Sequence, residues 1–128
     1  MAGSRYDKYD PYDGGFRAKL NAAIPSANAG KIYAVSINAS GRVVIGGTAL
    51  TDLRGLICPT GAMDAGTPID VMTDGEIADA TTTGGAALTA GGLVYAHIDG
   101  TVDATATSGK AMGWCVEADR VVVRAQNY

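Results

Sequence analysis

From Lys31 onward, Val, Ile and Tyr gather in short runs, and glycine or aspartate cuts each run. β-branched and aromatic side chains favour extended backbone, and the spacing is that of small all-β domains. Lys31–Ile37 sets Ile32, Ala34 and Ser36 on one face and Tyr33, Val35 and Ile37 on the other. Arg42–Ile45 follows a turn at Ala39–Gly41, and Gly55–Cys58 is an apolar run ended by Pro59. Three further hairpins are expected. Ile69–Met72 meets Glu76–Ile77 across Thr73-Asp74-Gly75, Leu93–Ile98 meets Thr101–Asp103 across Asp99-Gly100, and Met112–Glu117 meets Val121–Arg124 across Ala118-Asp119-Arg120. Asp-Gly between apolar runs is a strong hairpin signal, because glycine takes the positive φ of such turns. Thr81–Gly85 and Thr105–Lys110 read as exposed loops. No long helical period follows Pro25, apart from a turn at Ala49–Arg54, which argues against an α/β dinucleotide-binding fold. The fold class is therefore all-β: a small barrel or sandwich of short antiparallel strands and hairpins over residues 31–128.

Residues 1–30 read as an extended arm ahead of that domain. Tyr6, Tyr9 and Tyr12 recur at every third position, and each is followed by an aspartate: Asp7, Asp10 and Asp13. A polyproline-type chain has three residues per turn, so the tyrosines would line one edge and the aspartates the next. Such a segment cannot bury its rings against itself. Tyrosine, with a large ring and a polar tip, is a favoured interface residue. Residues 15–24 allow a short helix, with Phe16, Leu20 and Ala23–Ile24 on one face, Asp13 or Gly14 as cap and Pro25 as stop. At about ten residues it is marginal alone. The alternative is an irregular segment that pins the arm to the domain through Phe16 and Leu20. The expected binding residues are Tyr6, Asp7, Tyr9, Asp10, Tyr12, Phe16, Arg17 and Leu20.

The remaining chemistry is sparse. The chain is 47% apolar, but alanine supplies much of that and glycine adds 18 residues, so large core side chains are few. That composition implies a lean core supported by subunit contacts. Residues 1–31 carry a net charge of +2 and residues 32–128 a net −5, which gives no basic patch for nucleic acid. No stretch approaches the roughly 20 apolar residues of a membrane helix, and no signal peptide is visible. His97 is the only histidine, in phase with Leu93 and Tyr95, and reads as a strand-face residue held by local hydrogen bonds. Cys58 and Cys115 read as buried thiols, since neither lies in a nucleophile motif and the two cannot make a zinc site with one histidine. Asp70, Asp74, Glu76 and Asp79 lack calcium-loop spacing and read as solvated positions. Trp114, in phase with Met112 and Val116, reads as a core anchor; the alternative is a stacking platform for a sugar or base. No cofactor, metal or catalytic group is expected.

Four stretches together resemble a known family. Gly66-Thr-Pro-Ile-Asp-Val-Met-Thr-Asp-Gly-Glu-Ile77 is followed by Leu88-Thr-Ala-Gly-Gly-Leu-Val-Tyr-Ala96, then Gly113-Trp-Cys-Val-Glu117 and Val121-Val-Val-Arg124. In that order they resemble the small capsid decoration, or cement, proteins of tailed bacteriophages, over residues 55–125. The resemblance implies a β-rich structural virion protein, commonly a homotrimer, on the outer capsid surface. It would be made in the host cytoplasm, with the major capsid protein as partner. It would stabilise the head by clamping neighbouring capsid subunits. The resemblance supplies no catalytic residue, and the Tyr-Asp arm is not part of it. The runner-up from the residues is a glycan- or receptor-binding β-module of a phage tail or fibre, which would require an exposed Trp114 or Tyr95.

Overall fold

The computed structural model describes residues 14–125. Ten strands follow one another: β1 (Gly15–Lys19), β2 (Tyr33–Ile37), β3 (Val43–Ile45), β4 (Gly55–Ile57), β5 (Pro68–Met72), β6 (Asp74–Ile77), β7 (Leu93–Ala96), β8 (Val102–Asp103), β9 (Lys110–Glu117) and β10 (Arg120–Arg124). They form two five-stranded sheets, ordered β1-β5-β4-β2-β3 and β6-β10-β9-β7-β8. All neighbouring strands are antiparallel. The only helical pieces among the described residues are 3-10 turns at Ser26–Asn28 and Leu50–Asp52. The all-β sandwich expected from the residues is what forms.

The main core lies between the sheets. Ala34 and Leu56 from the first face Val94, Ala96, Val102, Met112, Cys115, Val121 and Val123 from the second. The opposite face of the first sheet is also covered. Val35, Ile57, Ile69 and Val71 pack there with Leu20, Ile24 and Val43. The first sheet curls until its outer strands meet: Leu20, directly after β1, bridges to Val43 in β3, and the Asn21 N–H donates to the Val43 carbonyl at 2.9 Å. Burial on both faces lets a chain short of large side chains supply two cores from short strands.

Three expected hairpins form, β2–β3, β7–β8 and β9–β10. The fourth does not. β5 and β6 belong to different sheets, and the chain passes straight from one to the other through Thr73. Gly75 is a strand residue opposite Val123, not the corner of a turn. The helix expected over 15–24 is replaced by β1, which pairs with β5 along its whole length, from Gly15↔Met72 to Lys19↔Pro68. The spacing of Phe16, Leu20 and Ile24 that suggested a helix face arises because Phe16, Leu20 and Ile24 all pack into the second core from a strand and the segment after it. Residues 15–30, read from sequence as arm, thus contribute a strand and two buried side chains to the domain.

Two stitches join the sheets away from Thr73. The Ala34 N–H donates to the Gly100 carbonyl at 2.9 Å, and the Gly46 N–H donates to the Ala34 carbonyl at 2.8 Å, so the β7–β8 turn is built into the flank of β2. The Thr83 hydroxyl donates to the Ile32 carbonyl at 2.7 Å and accepts the Val102 N–H at 2.8 Å. The loop at Thr81–Gly85 is therefore a tie between layers and not a free excursion.

Candidate docking cleft

A cleft of about 610 Å³ opens where the edge strand of each sheet comes to the surface. β1 and β5 form one wall and β6 the other, with Leu56, Cys58, Met72 and Ile77 on the apolar floor. That volume is in the range of ligand and peptide pockets. Gly14 and Gly15 lie on the wall because nothing larger fits: a Cβ on Gly15 would stand 1.9 Å from the Val71 carbonyl oxygen. The Gly14 carbonyl accepts the N–H groups of Thr73 and Asp74 at 2.8 and 3.1 Å, which fixes where the preceding chain joins the domain.

The rim is made of ion pairs. Arg17 Nε donates to Asp70 Oδ1 at 2.8 Å, Arg120 Nε donates to Glu76 Oε1 at 2.6 Å, and Arg124 pairs with Asp74. Arg120 also reaches Glu117 at 3.2 Å. The Arg17 hydrogen bond holds the Asp70 carboxyl below the usual carboxylate range. These pairs are exposed, so each contributes little to stability. Three of the four acids that drew attention in the sequence are thus partnered by arginines.

Phe16 and Arg17 line the cleft. Leu20 does not: it is 1% exposed and anchors the second core. Tyr6, Asp7, Tyr9, Asp10 and Tyr12 lie outside the described residues.

A second surface matches the alternative reading of Trp114 and not the core placement preferred from the sequence. Trp114 is 42% exposed on the outer face of the second sheet, beside Leu93 at 51%. Leu93, Trp114 and Val122 stand opposite one another on β7, β9 and β10, and Glu76 on β6 ends the row. The core placement expected for Trp114 fails because β9 is bulged. Its partners step from Gly113↔Val94 to Ala111↔Tyr95, leaving Met112 as an extra residue. One inserted residue reverses which face the following side chains occupy. Met112 and Cys115 point in and Trp114 points out. Iodide is expected to quench the fluorescence of this single tryptophan strongly in the free protein; a shielded emission would contradict the bulge.

His97 and the cysteines occupy structural positions. The His97 ring lies 2.8 Å from Asp103 Oδ1 through Nε2 and 3.2 Å from the Ser108 carbonyl through Nδ1. Both neighbours are acceptors, so the doubly protonated imidazolium satisfies both contacts. Burial opposes that charge, but the hydrogen bonds to Asp103 and Ser108, with the charges of Asp103 and Asp99, outweigh it and raise the pKa. Cys115 is buried and Cys58 half-buried, both free, and burial pushes both thiols up.

Neither a protein-family model nor a curated protein sequence matches the chain. Among solved structures, a chain from Mycobacterium phage Patience has the same fold. The TM-score is 0.74 at 23% identity, and the alignment covers 97% of this chain and 96% of that one.

Proposed function

We propose that this chain is a non-catalytic structural protein of a bacteriophage head. In this reading it seats on the outer capsid surface as a homotrimer and clamps neighbouring major capsid subunits. Its N-terminal arm docks on an adjacent subunit. The observation that carries the proposal is the fold shared, over nearly the whole of both chains, with a chain from a phage. The glycine and valine spacings quoted above favour the same class. The cleft and the outward row around Trp114 support a protein whose work is binding, since an exposed apolar row rimmed by charged pairs is typical of an interface.

The test is sedimentation with heads that lack the protein. Saturable binding to expanded heads is expected. Removing residues 1–13, or replacing Tyr6, Tyr9 and Tyr12 together by alanine, should lower occupancy at a fixed concentration by about tenfold or more, as loss of a multivalent contact does. Unchanged occupancy would remove the arm from the proposal, and no binding by the intact chain would remove the capsid.

The exposure of Trp114 favours a second reading, the glycan- or receptor-binding module of a tail or fibre. An indole stacked on a sugar shifts its emission. A saturable shift with host-surface oligosaccharide, together with no sedimentation on heads, would replace the first reading with the second.

A further inference from the structure

The arm reading leaves open which surface receives the arm. We propose that the cleft between β1 and β6 is the docking site for the Tyr-Asp segment, residues 6–12, of a second copy of this chain; the inference rests on the arm reading given above. Three features of the cleft match that occupant. Its floor of Leu56, Met72 and Ile77 is apolar and suits tyrosine rings. Its lining carries Arg17 among the acids Asp70, Asp74 and Glu76, and the segment carries Lys8 between Asp7 and Asp10. Its β6 wall has a free backbone edge. The Thr73 carbonyl accepts the Ala125 N–H while the Asp74 N–H turns to Gly14. Strand alternation then points the Glu76 backbone away from β10, where an extended peptide can pair with it.

Direction favours a neighbour over the chain's own arm. β1 runs from Gly15 along the cleft wall, away from the point where residue 13 joins, and the Gly14 carbonyl is fixed by two donors. The chain's own segment would have to reverse at that point to lie along Arg17 and Asp70. Asp13 alone separates Tyr12 from the fixed Gly14, and two residues span at most about 7 Å, so the receiving cleft must open beside Gly14. A neighbour packed against this end of the domain meets that requirement, and around a closed ring every arm would find a site.

Cys58 on the cleft floor provides the test in the full-length protein. Tyr6→Cys, Tyr9→Cys and Tyr12→Cys are each oxidised mildly at slightly alkaline pH and run on non-reducing gels. At least one is expected to give disulfide-linked dimers and higher species at about tenfold or more the yield of a surface control, Thr107→Cys, because docking raises the effective concentration of the two thiols. The linked species should vanish when Cys58→Ser is added. A disulfide confined to single chains would assign the cleft to the chain's own arm and overturn the proposal, as would control-level yields at all three positions. Head sedimentation separates the two claims. Arm-dependent binding to heads without cross-linking would reject the cleft and keep the capsid reading; cross-linking without binding to heads would do the reverse.

Discussion

Gly100→Val is expected to cost about 3–5 kcal/mol and to lower the melting midpoint by more than about 10 °C. Gly100 sits at φ +91, and a Cβ there would lie 2.3 Å from Ile45 Cγ2 and 2.9 Å from the Gly46 nitrogen. The second of those neighbours is backbone and has nowhere to go. Gly46 is itself at φ +81, and a Cβ on it would stand 2.5 Å from the Ile98 carbonyl oxygen. The two glycines therefore back onto each other where the β7–β8 turn enters the flank of β2. Widening that contact breaks the hydrogen bonds on both sides of Ala34. Gly91→Val is the control: Gly91 has a similar φ of +80, but a Cβ added there would meet no atom within 4 Å, so only the backbone strain remains. Equal losses at the two sites would show that crowding at Gly100 plays no part. An unchanged midpoint for Gly100→Val would show that the stitch does not lie at this turn.

Asp103→Ala should cost about 3 kcal/mol, the usual effect of breaking a buried pair. The Asp103 carboxylate accepts from His97 Nε2 at 2.8 Å, Thr105 N–H at 2.9 Å and Gly85 N–H at 3.1 Å, so it holds two loops and a ring at once. Its removal leaves those donors facing a void. The same pair makes stability depend on pH. The His97 pKa is raised, so its contribution is full below the ordinary imidazole value of about 6.5 and is lost as pH rises through the folded-state value. The Asp103 pKa is lowered: burial works against the carboxylate, but the Thr105 N–H, His97 and the Ala86 N–H prevail. Its contribution is full above about 3.9 and lost as pH falls through the folded-state value. Stability should thus peak in mild acid and decline toward alkaline pH. Asp103→Asn keeps the shape and removes the charge, so its denaturation midpoint should be flatter between mild acid and neutrality. An identical slope in wild type and Asp103→Asn would assign the pH dependence to other groups.

The hairpins that read correctly from sequence are those whose turns are local. β2–β3, β7–β8 and β9–β10 each close over a few residues, and glycine or aspartate marks the corner. The misreadings have non-local causes. Asp74-Gly75 carries the same chemistry as Asp99-Gly100, but the pairing of Gly75 with Val123, some fifty residues away, keeps it extended. β1 was hidden because five residues with two glycine-adjacent positions carry little strand propensity; its partner β5 decides its conformation. Trp114 was misplaced by one bulged residue that no composition signals. The cleft likewise follows from the chain changing sheets at Thr73, which leaves two edge strands side by side. Of its residues, Leu56, Met72 and Ile77 belong to strands whose order the sequence does not encode locally.

The β1–β5 ladder also governs how the domain bears force. A pull on the chain ahead of Gly14 runs along the axis of β1, and the hydrogen bonds to β5 lie across that axis. The load falls on the whole ladder together, in shear, and not on one bond after another as in unzipping. A tether pulled along β1 would therefore load all five residue pairs of the ladder at once.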